Sequence, residues 1–350
     1  RIAWACWFLT AVQVIVFIIE LVRNASLTSS PIAIKPSFNP MIGPSPYVLI
    51  NMGARFVPCM RNVENITNSA GPVFFPCPEA TTLDTECTLS QLCGFSNVPD
   101  PVPGGTMDAS PEPNQWYRFI IPIFLHAGLI HIGFNLLLQL TLGREVEAKI
   151  GTLRFLLVYF SSGIFGFVFG GNYAALGIAS CGASGSLFGL LALTLLDLLY
   201  HWRSRKHPVR ELLFILLDIA IAFVLGLLPG LDNFSHIGGF LMGLVLGISI
   251  IHSPEALRQR IGQDDPPYGP LDTAKAGGAM AFARAPLGFF KGRKPLWWAW
   301  WLIRVGALVG VLVGFIVLLR NFYVDRVTCD WCKYLSCLDI NNWCDIGNLQ

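Results

Sequence analysis

Seven apolar runs decide what this chain can become. They cover residues 2–21, 119–142, 155–172, 184–200, 212–228, 236–251 and 297–319. About 20 apolar residues in helical form cross the hydrocarbon of a bilayer, and a helix satisfies its own backbone N–H and C=O groups there. The pattern therefore predicts an all-α polytopic membrane protein. Composition agrees, with 53% hydrophobic and 13% charged residues, against about 25% charged in soluble domains. The shorter runs call for tilt or local thinning of the bilayer.

The chain starts with Arg1 rather than Met, so a missing N-terminal segment is expected. The run over 2–21 is read as a span rather than a signal peptide, because no small-x-small cleavage site precedes the polar stretch. Orientation follows from the basic loops. Arg144, Lys149 and Arg154, then Arg203, Arg205, Lys206 and Arg210, then seven cations between Arg258 and Lys294 all fall on one side of a seven-span topology. That side is expected to be cytosolic, with the N-terminus there and the C-terminal tail luminal or extracellular. The formal net charge of +2 hides this asymmetry, and nothing points to nucleic acid.

The expected organisation is a first span over 1–22, a luminal insertion over 23–115, core spans two to six over 116–252, a cytosolic linker over 253–296, a seventh span over 297–319 and a luminal tail over 320–350. Eight of the ten cysteines lie in the insertion and the tail: Cys59, Cys77, Cys87, Cys93, Cys329, Cys332, Cys337 and Cys344. An even set on one face suits disulfides in an oxidising compartment, with the pairing open. For Cys329-Asp330-Trp331-Cys332, a disulfide is preferred to a redox or zinc motif. Asn24-Ala25-Ser26 and Asn65-Ile66-Thr67 are glycan acceptor patterns on the same face, and Asn24 lies close to the membrane. The insertion is rich in proline and short polar residues and shows no long helical stripe, so it reads as a loop-rich unit needing covalent staples. Trp297, Trp298, Trp300 and Trp301 form an aromatic belt at the entry of the last span.

Two patterns carry chemistry. Gly182-Ala183-Ser184-Gly185 opens the fourth run, and His236-Ile237-Gly238-Gly239, with Gly243 beyond, opens the sixth. Both enter from the same side, so a hydroxyl and an imidazole are expected at similar depth, where polar groups are costly and functional candidates by default. Taken alone, Gly185 and Gly189 are a helix-packing pair, and His236 is a buried histidine satisfied by a carbonyl. Taken together, they are a nucleophile and its base. Free N–H groups at the first turn of the Ser184 helix would stabilise an oxyanion. Asp232 lies just outside the sixth run, so a dyad is expected rather than a triad. In the second run His131 and Asn135 share a helix face, two further donors for the oxyanion. His126 is expected to fix the luminal loop by hydrogen bonding. The His-Glu-x-x-His arrangement is absent, so no metal and no cofactor is expected. Arg118, beside Trp116, reads either as a cation snorkelling to phosphates or as part of a motif. Cys181 reads either as a modifiable thiol or as a small buried residue.

The ordered set resembles the rhomboid family of intramembrane serine proteases. It comprises Trp116-x-Arg118, His126-x₄-His131-x₃-Asn135, Gly143-Arg144 with Glu147 and Gly151, Gly182-x-Ser184-Gly185, and His236-x-x-Gly239-x-x-x-Gly243. The resemblance implies a six-helix core plus a seventh C-terminal helix, as in secretory-pathway members. It implies Ser184 as nucleophile, His236 as general base, and His131, Asn135 and the Ser184 N–H as the oxyanion hole. Gly182, Gly185, Phe188, His126, Trp116, Arg118, Gly239 and Gly243 are its expected supporting residues, with Phe188 against the imidazole. Arg144 and Glu147 would be structural, and the loop over 229–235 would be a cap that moves. The expected partners are transmembrane substrates within the bilayer, cut near the luminal side after a small residue to release luminal fragments. The alternatives are a catalytically silent relative that binds transmembrane clients, and a channel or transporter, for which the expected inverted repeats are not evident.

Overall fold

The apolar runs become helices wherever nothing inside the run opposes it. The computed structural model describes residues 2–336 apart from 83, 96–97, 228–231, 252 and 262–293. The first run is α1 (Trp4–Thr28), followed in the insertion by α2 (Pro46–Asn51), a two-residue antiparallel hairpin of β1 (Phe75–Pro76) and β2 (Glu86–Cys87), and α3 (Leu89–Cys93). The core holds α4 (Leu129–Leu138), α5 (Arg144–Ile150), α6 (Thr152–Tyr173), α7 (Ser184–Tyr200), α8 (Pro208–Gly226) and α9 (Asn233–Ile250). After α10 (Glu255–Ile261) come α11 (Pro295–Arg320) and the short α12 (Lys333–Ser336). Most of the expected linker, the loop residues 229–231, and Cys337 and Cys344 lie outside the described residues. Among the described residues, α1, α6, α9 and α11, the last two with their continuations, are long and apolar enough to cross a membrane, and α7 is a shorter apolar helix.

The second run departs from the expected helix over 119–142. Pro122 lacks an N–H and disfavours the helical conformation for Ile121. The chain therefore makes 3₁₀ turns at Trp116–Phe119 and Ile121–Ile123. Regular helix begins only at Leu129, and a π turn, Gln139–Gly143, joins α4 to α5.

Glycine sets how closely the central helices meet. A methyl at Gly239 would overlap the Gly185 carbonyl, and one at Gly243 would overlap that of Gly189. The bare face of α9 thus lies directly on the backbone of α7. Gly189 in turn faces Ser162 of α6. With little hydrophobic drive between helices in lipid, such close backbone contact supplies the packing.

Polar side chains tie the remaining helices to this centre. Both Glu147 carboxylate oxygens accept from the first turn of α1, at Ala5 N (3.1 Å) and Cys6 N (2.8 Å). These are donors a helix cannot satisfy itself. Tyr159, Gln13 and Gln139 close a buried hydrogen-bonded ring across α6, α1 and the π turn. α11 docks through Ser249 Oγ donating to the Arg304 carbonyl (2.7 Å) and Asn321 donating to Asn172 (2.7 Å).

The insertion is stapled by Cys59–Cys93 and Cys77–Cys87, and the tail by Cys329–Cys332. Arg118 does not snorkel. Its side chain is fully buried and donates to the carbonyls of Ile50, Ala54 and Cys93 and to Gln115 Oε1. Burial pulls its pKa down to about 9, which leaves it cationic at neutral pH. Asn24 is not free to carry a glycan. It is buried, donates to Thr28 and Ser30, and accepts from Ser45 N. Asn65 is exposed.

Candidate active site

Ser184 stands at the first residue of α7 because the turn before it contains a glycine no other residue replaces easily. Gly182 has φ +119°, a conformation that disfavours side chains, and its N–H donates to the Pro122 carbonyl (2.8 Å). A Cβ at Gly182 would lie 2.7 Å from both Cε1 and Nε2 of His131. The same glycine therefore makes the turn and admits the imidazole. The N-cap is Ala183, whose methyl cannot cap, and among the described residues no side chain caps α7, so its first-turn N–H groups remain as donors beside the Ser184 hydroxyl.

His236 stands in the first turn of α9, whose start is held differently. Asp232 is the cap: Oδ1 accepts from the N–H groups of Phe234 (3.1 Å) and Ser235 (3.3 Å). Oδ2 accepts from the hydroxyls of Ser180 and Ser235 and from the Arg55 guanidinium. Burial pulls the Arg55 pKa down and the Asp232 carboxylate opposes that shift. Asn233 Nδ2 donates to the Leu335 carbonyl of the tail (2.9 Å).

Between these two helix mouths, His236 Nε2 lies 2.8 Å from Ser184 Oγ. Phe188, four residues after Ser184 and so on the same face, stacks on the His236 ring with centroids 4.6 Å apart and planes 8° apart. His236 Nδ1 has no hydrogen-bond partner among the described residues, and the Asp232 carboxylate is directed to the cap and to Arg55.

His131 Nδ1 accepts the Ala127 N–H (3.2 Å). A neutral ring accepting at Nδ1 carries its proton on Nε2, the atom beside Gly182. Asn135 Nδ2 donates to the His131 carbonyl (2.8 Å), which leaves its second amide hydrogen. Both side chains line a cavity of about 130 Å³ with Ser184, Phe188 and His236. His126 packs its ring edge-on to His131 (5.4 Å), and its backbone N–H donates to Glu20 of α1 (3.1 Å), while its ring nitrogens have no hydrogen-bond partner among the described residues. Trp116 is exposed, its ring edge-on to Tyr117. Free Cys181 lines the cavity and is partly buried.

Sequence reasoning missed three ionisable groups. Asp218 of α8 lines the same cavity, and its signal was an acid inside an apolar run. Glu20 is buried under His126 and carried the same signal. Arg55 carried none, because its partner lies 177 residues away.

A family model described as Rhomboid domain matches residues 113–253. The chain is 57% identical to Rhomboid-type serine protease 2 of Emericella nidulans, over all of this chain and 73% of that relative. It is 33% identical to RHOMBOID-like protein 1 of Arabidopsis thaliana, over 68% of this chain and 58% of that relative. It is 30% identical to Inactive rhomboid protein 1 of Homo sapiens, over 71% of this chain and 25% of that relative.

Proposed function

The chain belongs to the rhomboid family and is an intramembrane serine protease; from that premise we propose that Ser184 is its nucleophile and His236 its general base. The observation that carries the reading is the 2.8 Å contact between Ser184 Oγ and His236 Nε2. In this reading Oγ attacks the scissile carbonyl carbon while Nε2 takes the hydroxyl proton. The resulting oxyanion is met by the Ser184 N–H, His131 Nε2–H and the free amide hydrogen of Asn135. Collapse of the tetrahedral intermediate breaks the C–N bond, and the imidazolium returns its proton to the leaving amine. Water, deprotonated by His236, then hydrolyses the acyl ester and restores the serine. Phe188 holds the imidazole plane throughout.

The substrates are single-span membrane proteins cut near the luminal side, with release of luminal fragments. The basic-loop asymmetry supports a topology with the insertion, the disulfides and the reacting pair on that side. The disulfides fit an oxidising secretory compartment, and Asn65 is the acceptor open to a glycan. A substrate helix must unwind before its carbonyl is accessible, so helix-weakening residues favour cleavage, and the family resemblance implies a small residue before the scissile bond.

Some relatives are named inactive, which makes one experiment decisive. Ser184→Ala, purified beside the parent and given a tagged single-span substrate, should yield no product yet still retain the substrate on pull-down. Product at the parental rate would overturn the nucleophile assignment. Absence of product from both proteins across a panel of substrates, with retention by both, would favour a client-binding role.

A further inference from the structure

A buried ion pair links the insertion to the elements that carry the reacting pair. Arg55 Nη2 lies 2.9 Å from Asp232 Oδ2, with the two side chains 0% and 2% exposed. Arg55 also exchanges backbone hydrogen bonds with Ser180 in both directions, each 2.9 Å, and the Ser180 hydroxyl donates to the same Asp232 oxygen (3.1 Å). Ser180 is four residues before Ser184, and Asp232 is four before His236. One carboxylate thus joins the insertion, the approach to the serine and the cap of the histidine helix. α6 makes room for it, since a methyl at Gly170 would overlap Asp232 Oδ2.

Stability alone is a poor reason for this arrangement. Burying two charges costs several kcal/mol per ion, and a well-packed apolar pair often serves as well or better. Here the compensation is incomplete: Arg55 Nε and Nη1 have no partner among the described residues. What an ion pair supplies that an apolar contact does not is direction. Methyl groups can slide past one another, whereas a guanidinium against a doubly capping carboxylate sets one register.

We propose that Arg55 and Asp232 form a positioning clamp by which the insertion sets the approach of His236 to Ser184. The proposal rests on the dyad reading above. Neither residue touches a reacting atom. Both act through the first turn of α9, where a displacement near 1 Å costs about 10²-fold in rate.

The test uses the full chain in lipid with a single-span substrate. It compares Arg55→Met, Asp232→Asn, the double variant and Arg55→Lys, with Ser184→Ala as control. Asn caps a helix about as well as Asp, so Asp232→Asn removes the charge and keeps the cap. Arg55→Met and Asp232→Asn each leave one buried charge unpaired and should lower both the melting temperature and kcat, with kcat down about 10- to 100-fold and KM nearly unchanged. The double variant should recover the melting temperature, because no unpaired charge remains, but not kcat. Arg55→Lys should recover part of kcat. Recovery of both properties in the double variant would mark the pair as structural only and overturn the clamp. So would parental kcat in folded Arg55→Met or Asp232→Asn, or an effect confined to KM. If a single variant fails to fold, the double variant and Arg55→Lys decide by the same criteria. Full cleavage by Ser184→Ala would overturn the dyad and the clamp together, whereas an inert Ser184→Ala beside a fully active double variant overturns the clamp alone.

Discussion

The two helices that carry the proposed dyad begin in opposite ways. α7 starts at Ser184 behind Ala183, with no side-chain cap among the described residues, and α9 starts with Asp232 filling its first N–H groups and tied to Arg55. A helix mouth left open keeps donors and partial positive charge available for an anion that forms during reaction. A mouth already holding a carboxylate cannot do that, but it can hold its own first turn still. On the proposed dyad the difference amounts to a division of labour: the helix of Ser184 would supply electrostatics, and the helix of His236 would supply position.

The largest effect breaks the comparison at its centre. His236→Ala should lower kcat by about 10⁴-fold or more, read as product formed per enzyme over long incubation, and a smaller loss would mean that another group takes the serine proton. The open mouth is sharpened by His131→Ala and Asn135→Ala, each expected to cost about 10²–10³-fold in kcat. A rise in KM with unchanged kcat would assign them to ground-state binding instead. Gly239→Ala presses a methyl into the Gly185 carbonyl and must part the two mouths. A loss near 10²-fold is expected, with destabilisation of about 1–3 kcal/mol, and parental activity would show that the crossing tolerates separation.

Acid pH probes the held mouth. An imidazolium has no lone pair to accept the serine proton, so kcat/KM should fall about tenfold per pH unit below the histidine titration. A profile flat through that range would remove His236 as base. The smallest effect belongs outside the comparison. Cys77 and Cys87 pack with Ala80 in a small cluster apart from the main core. The paired changes Cys77→Ser and Cys87→Ser should cost the insertion about 2–3 kcal/mol, seen in its unfolding, and leave kcat at the parental value. A kcat loss would show that this staple, too, supports the clamp.

Much of the site was readable in one dimension because its parts are local. Ser184 and His236 each open an apolar run, and the glycines that let the two helices touch follow each of them at helical spacing. Hydropathy places α6, α7, α9 and α11 within a few residues, whereas α1 runs on to Thr28, past the end of its apolar run at 21. It fails at 119–128, where an apolar run reads as helix but the chain makes 3₁₀ turns around Pro122 and regular helix starts only at Leu129. Arg118 was ambiguous for a different reason: its acceptors are carbonyls of Ile50, Ala54 and Cys93, and no local pattern says which carbonyls lack partners.

The sequence by itself determined that the chain is a helical membrane protein with a serine and a histidine at two helix mouths, because hydropathy, helix period and glycine placement act between near neighbours. Only the tertiary structure decided that those mouths meet, that one is left open while the other is capped, and that an arginine from the insertion holds the cap. Those facts depend on which distant groups exclude water together. That pairing is a property of the packed molecule, since a charge is worth burying only where the fold delivers its partner.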